Sequence, residues 1–315
     1  MYRADRWLAV ALVCVLFAPV ATARAEECQL KLYASLDAKF ENNQILVPVQ
    51  INGHDRWLAL DTGATWSSLR ESISTEEHFK TGRVEDLIGY IEIWDVAGNP
   101  VRRYAVAPSF GFGSASWTGT QFLVMPDAEL GKAPEAGFLG QNVLQKFDIE
   151  IDPARRKVNF FSKDHCSGVV YWNSTYFEIP YKEEGATPYT PAKLDGKPIR
   201  ASIDTGSDFS SLDIATARSM YGIDPETDGG PDATYSITAS GEKVKDYRRR
   251  FSSLELGGVA FRNVSLNLTD FGRDFGPRTQ LLVGMDLINR MHVYISRKDK
   301  TIYATARDAH DVPHE

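Results

Sequence analysis

The chain alternates between apolar and polar positions over most of its length. The run "QILVPVQINGHDRWLALDTG", Gln44 to Gly63, shows the pattern: two alternating stretches meet at Asn52-Gly53. Asn-Gly is a two-residue hairpin turn, so the run predicts two antiparallel strands. The same design returns at "DGKPIRASIDTG", where Asp195-Gly196 leads into a short strand. Helical periodicity is confined to short stretches such as "GQNVLQKF" and "SLDIATARSMYG". Period-2 alternation with Gly/Asn/Asp punctuation predicts an all-β chain with short helices.

Both of these strands end in Asp-Thr-Gly, at Asp61 and again at Asp204, 143 positions later. The repeat extends well beyond these triplets. "GFLGQNVLQKFDIEIDPARRKVNFF" from Gly137 matches "LLVGMDLINRMHVYISRKDKTIYAT" from Leu281. Asp61 precedes Gly140 by 79 residues, and Asp204 precedes Gly284 by 80. Between them, "IEIWDVAGNPVRRY" and "YSITASGEKVKDY" read as hairpins with small-residue tips at Gly98-Asn99 and Gly241. A fixed internal period indicates one supersecondary unit used twice. We place one lobe over residues 26–168, a second over 169–306 and a flexible tail over 307–315.

An acidic side chain at the end of an apolar strand is costly to bury alone. Two of them in matching contexts predict that each is the other's partner. Carboxyls held close together cannot both ionise cheaply, so they share a proton. Such a pair supplies a base and an acid to one water molecule, as amide hydrolysis requires.

At this point the chain resembles the aspartic proteases, in its retropepsin branch. The features are Asp-Thr-Gly followed about eighty residues later by two apolar residues and Gly, the closing motifs "FLGQN" and "LVGMD", and the short halves. It looks like two retropepsin-like units fused, as in exported bacterial tandem-repeat relatives, which implies a pseudo-twofold two-lobed fold. The resemblance makes Asp61 and Asp204 catalytic. It makes Thr62, Gly63, Ala64, Thr205, Gly206 and Ser207 the supporting loops, and Gly98, Asn99 and Gly241 the flap tips over an extended peptide. Asp208 keeps an acidic residue often found after the Asp-Thr-Gly-x run in this branch, whereas Thr65 departs from it. The residue after each glycine is placed within reach of its own aspartate. Ser207 has a hydroxyl to donate there and Ala64 has none, so Asp204 is expected to be the more acidic partner.

Composition and charge narrow the picture. A chain of 315 residues, 43% of them hydrophobic, is long enough for one large or two medium domains. The net charge of -7, with no long basic stripe, argues against nucleic acid as the main partner. Scattered histidines and the lack of a Cys/His cluster give no metal motif, and no cofactor is expected. "MYRADRWLAVALVCVLFAPVATARAEE" has basic residues, a short apolar stretch and Ala23-Arg24-Ala25, which reads as a signal peptide over residues 1–25. This predicts an exported protein, periplasmic or secreted, with no stable membrane anchor after cleavage. Cys28 and Cys166 then remain, and in an oxidising compartment they form a candidate disulfide, two free thiols being the alternative.

The functional expectation is therefore an aspartic endopeptidase acting on peptide or protein substrates, as a monomer with both aspartates on one chain. Two alternatives stay open: a catalytically silent peptide-binding or assembly module on the same scaffold, and a dimer whose lobes pair between chains.

Overall fold

The computed structural model describes residues 30–89, 93–94, 100–127, 135–166, 168–184, 187–228, 234–237, 243–271 and 279–308. Within these the chain is mostly strand, with six short α-helical segments and one five-residue π-helical turn. The all-β expectation holds, and so does the duplication, which appears in strand order.

Each half builds an eight-stranded sheet. In the first half the order is Lys39–Glu41, Gln44–Ile51, His54–Leu60, Gly137–Leu139, Ser68–Arg70, Ala115–Met125, Arg103–Phe112, Lys80–Arg83. In the second it is Lys182–Glu184, Thr187–Leu194, Lys197–Ile203, Leu281–Val283, Ser211–Asp213, Val259–Thr269, Lys243–Leu256, Thr234–Ile237. The first seven strands of one list have their repeat partners at the same places in the other; the eighth differs, since Thr234–Ile237 corresponds in the repeat to residues 91–94 and not to Lys80–Arg83. Each sheet also carries the same extra pairing, of its second strand with its seventh. The two predicted turns form as expected. Asn52 and Gly53 have φ of 53° and 84°, and Asp195 and Gly196 have 47° and 77°. Two consecutive positive-φ residues make a type I′ turn, whose twist matches the strands it joins.

The halves are joined by a third, six-stranded sheet to which each contributes three strands. At its centre Asp148–Asp152 runs antiparallel to Met291–Ser296, with Ile149 opposite Ile295, Glu150 opposite Tyr294 and Ile151 opposite Val293. These residues correspond to one another in the internal repeat, so the local axis relating the halves passes between Glu150 and Tyr294. A single cluster of buried apolar side chains runs through both halves. A smaller one, built on Trp172, Tyr294 and Tyr303, packs at the joining sheet. Burial is thus continuous across the junction, which fixes the two Asp-bearing strands relative to each other.

Candidate active site

Asp61 follows strand His54–Leu60 directly, and Asp204 follows Lys197–Ile203. Each of these strands pairs in parallel with a short strand of the closing motif, Gly137–Leu139 or Leu281–Val283. The pairing continues into the loops: Asp61 N–H donates to Leu139 O, and Asp204 N–H to Val283 O, both at 3.0 Å. Farther along, Gln141 N–H donates to Ala64 O at 2.9 Å and Met285 N–H to Ser207 O at 2.8 Å. Each aspartate loop is therefore held from both ends by its own half.

The loops meet across the local axis. Thr62 N–H donates to Thr205 Oγ1 and Thr205 N–H to Thr62 Oγ1, each at 3.0 Å. Each hydroxyl donates onward, Thr62 to Ile203 O at 2.8 Å and Thr205 to Leu60 O at 2.7 Å. Both threonines are fully buried, so the four bonds satisfy groups that water cannot reach. Gly63 and Gly206 lie against the opposite aspartate. A Cβ on Gly63 would stand 2.5 Å from Asp204 Cγ, and one on Gly206 would be as close to Asp61. Glycine is required here because a side chain would occupy the space of a carboxyl.

The two carboxyls hydrogen-bond to each other. Burial, reinforced by the negative charge of Asp204, holds the Asp61 carboxyl well above its ordinary value of 3.8. Asp204 is also raised by burial, but backbone N–H groups of Gly206, Gly63 and Ser207 and the hydrogen bond from Asp61 all favour its ionised form. Asp61 accepts from Gly63 N–H at 2.9 Å and Ala64 N–H at 2.8 Å. Burial and mutual repulsion keep the pair from ionising twice at low cost, so the two carboxyls share one proton.

The sequence led us to expect a more acidic Asp204 through a hydrogen bond from the Ser207 hydroxyl, and that contact is not formed. The Ser207 hydroxyl does not reach Asp204; it donates to Phe209 O at 2.9 Å. The Ser207 backbone N–H donates to Asp204 O at 3.4 Å, whereas Ala64 N–H in the other loop donates to Asp61 Oδ1 at 2.8 Å. Gly63 N–H donates to Asp61 Oδ1 at 2.9 Å and also favours the ionised form of Asp204. Asp208 sits beside the pair, pushed up to about 6 by burial, with the charges of Glu135 and Asp204 adding and a hydrogen bond from Gln44 opposing.

Sequence reasoning missed a second layer of support. Ser67 Oγ accepts from Gly140 N–H at 2.9 Å and donates to Asn142 Oδ1 at 2.7 Å. Ser210 Oγ accepts from Gly284 N–H at 3.0 Å and donates to Asp286 Oδ1 at 2.6 Å. The signal was present in the repeat, since Ser67 and Ser210 each stand six residues after an aspartate. Gln141 has no such counterpart: its Nε2 donates to Thr62 O at 2.6 Å and its Oε1 accepts from Arg297 of the other half at 3.0 Å. The flap tips Gly98, Asn99 and Gly241 lie outside the described residues, although the strand pairs leading to them are present. Cys166 is disulfide-bonded, and Cys28 lies outside the described residues. Among the described residues no group of three or more His, Cys, Asp or Glu side chains is arranged to hold a metal ion.

Two aspartates in matched loops, each backed by the other loop's glycine, decide which comparison matters. Residues 190–287 match the aspartyl protease family model. The matched segment contains Asp204-Thr205-Gly206 and both apolar strands that frame it; Asp61 comes in through the internal repeat. Among solved structures, the crystal structure of aspartic proteinase from Irpex lacteus is similar, with a TM-score of 0.49 and 10% identity over 89% of this chain and 98% of that one. No curated protein matches the sequence. The family match supports aspartic protease activity in general, and with it a peptide substrate.

Proposed function

We propose that the chain is an aspartic endopeptidase in which Asp61 and Asp204 activate one water molecule against a peptide bond. The observation that carries this reading is the carboxyl pair, brought together by two loops whose glycines each lie against the other's aspartate, and raised by burial. Asp204 takes a proton from the water as its oxygen bonds to the peptide carbonyl carbon. Asp61 delivers its proton to the substrate, and the departing nitrogen leaves protonated. The pair returns to one shared proton. The loop N–H groups hold the carboxyls in place throughout, so little reorganisation is needed as charge moves.

The substrate runs extended through the cleft between lobes 26–168 and 169–306, covered by hairpin tips around Gly98-Asn99 and Gly241. Such a peptide is held by main-chain hydrogen bonds, with alternate side chains in pockets. The protein is exported, loses residues 1–25 and works as a monomer. A Cys28–Cys166 bridge ties the new N-terminus to the junction of the lobes.

The deciding experiment digests a mixed peptide library over roughly pH 3–8 with purified mature chain. The wild type cuts internal bonds. Asp61→Asn and Asp204→Asn each lower the rate by about 10³-fold or more, as expected of groups that act as a unit. Cleavage that survives in either variant defeats the shared-pair mechanism, and saturable binding without cleavage favours the silent peptide-binding module. Activity per molecule stays constant on dilution if both aspartates act within one chain.

A further inference from the structure

A cavity in the first half does not touch the aspartate pair. It has a volume of about 490 Å³, within the range of small-molecule sites, roughly 300–1,000 Å³. It opens between the loop that continues from Asp61, strand Ala115–Met125 and helix Gln141–Leu144. All of its lining comes from residues 65–146, in the first half alone, whereas the carboxyl pair is built from both halves.

Its chemistry is unusual for a peptide pocket. Two indoles, Trp66 and Trp117, stand among the hydroxyls of Thr118 and Thr120 and the amides of Asn142 and Gln145. No carboxylate lines it, and its one formal charge is Lys146. Several of these groups are fixed beforehand. Trp117 stacks on Phe110 with ring centroids 5.6 Å apart and planes at 22°, and Lys146 Nζ stands 5.2 Å from the Trp117 ring centroid. Asn142 Oδ1 accepts from both N–H and hydroxyl of Ser67, and its Nδ2 donates to Gln121 O at 3.3 Å.

Three classes of ligand fit poorly. A purely apolar molecule would strip water from hydroxyls and amides without replacing their hydrogen bonds. A metal ion finds no carboxylate, and an organic cation meets Lys146. A sugar ring meets both halves of the lining. Its C–H face lies on an aromatic surface, and its rim of hydroxyls exchanges hydrogen bonds with amides and threonines, which both donate and accept. We propose that this cavity is a binding site for a short neutral oligosaccharide, separate from the peptide cleft.

The test is tryptophan fluorescence titration of the full chain with chitotriose, cellotriose and maltotriose, and with tetra-alanine as a peptide control. At least one of the sugars quenches saturably with a Kd at or below about 1 mM, and the peptide leaves the signal unchanged. Trp66→Ala and Gln145→Ala each weaken sugar binding at least tenfold; Gln145 is exposed and Trp66 half-buried, and unchanged circular dichroism shows that the fold is intact. Calorimetry repeats the titration for Trp66→Ala, which has lost part of the reporter. Asp61→Asn binds sugar like the wild type, so the result stands whether or not the chain is a protease. Failure of all three sugars to saturate, binding unaffected by both variants, or tetra-alanine competing for the same site overturns the proposal.

Discussion

Thr62 and Thr205 exchange hydrogen bonds in both directions, each donating its backbone N–H to the other's hydroxyl at 3.0 Å. Neither loop is complete by itself, because the buried N–H and hydroxyl of each threonine are satisfied by the other half. Replacing Thr62 by Val keeps the shape and strands two groups, Ile203 O and Thr205 N–H. We expect a loss of about 1–3 kcal/mol in urea unfolding, since a buried group left unsatisfied costs that much. Thr62→Ser should recover most of the loss. A Val variant as stable as the wild type would mean that the exchange contributes nothing to joining the halves.

The glycines test the closeness of the carboxyls. Gly206→Ala puts a methyl group into the space of the Asp61 carboxyl, and Gly63→Ala does the same to Asp204. The displaced carboxyl loses its partner and its N–H donors together. Peptide hydrolysis should fall by about 10²-fold or more in kcat/KM, the scale of an ångström's misplacement. Kinetics on both variants, with circular dichroism to confirm folding, checks this. Normal rates would mean that the loops open farther than the structure allows.

The pH profile tests the proton assignment. Both carboxyls are raised, Asp61 the more, so activity should persist well above the ordinary carboxyl value of 3.8 before the last proton leaves. Ser207→Ala should leave both limbs of kcat/KM unmoved, because its hydroxyl is spent on Phe209 O. Ala64→Ser should behave likewise, its added hydroxyl turning to Trp66 O as Ser207 turns to Phe209 O. An upward shift of the acidic limb in Ser207→Ala would show that the hydroxyl serves Asp204 during turnover.

Asp148 governs a different pH dependence. It lies in the joining sheet, where Oδ1 accepts from Arg297 N–H at 2.7 Å and Oδ2 from Tyr294 Oη at 3.2 Å. Burial raises it from 3.8 to about 6, against these bonds and the charges of His165 and Arg297. A carboxyl raised on folding holds its proton longer in the folded state, so its contribution to stability is full below the unfolded value and lost as pH rises through the folded one. Stability should therefore decline between about pH 4 and 7, and Asp148→Asn should flatten part of that decline. Urea midpoints of both proteins across this range decide it. The neighbours Glu150, Asp152 and His292 are common to both proteins, so the difference isolates Asp148. Parallel curves would remove Asp148 from the account.

Much of this molecule was legible in its sequence because the legible parts are local or repeated. A turn such as Asn52-Gly53 is chosen by which residues tolerate positive φ. Alternation over Gln44–Ile51 is set by the two faces of a strand. Repetition of Asp-Thr-Gly with its closing glycine named the two aspartates and implied that they meet. Most of what lay beyond reach was decided by contacts between residues far apart in the chain. Nothing in the local pattern of Asp148–Asp152 says that it pairs with Met291–Ser296 and centres the joining sheet on Glu150 and Tyr294. Nor does "DTGSDF" say that Ser207 turns its hydroxyl to its own loop, or that Gly63 N–H reaches across to Asp204. A side chain's period and a turn's dihedral angles are properties of a few neighbouring residues. The partner of a buried hydrogen bond, and with it the place of a shared proton, is settled only when two packed halves bring their loops within 3 Å of each other.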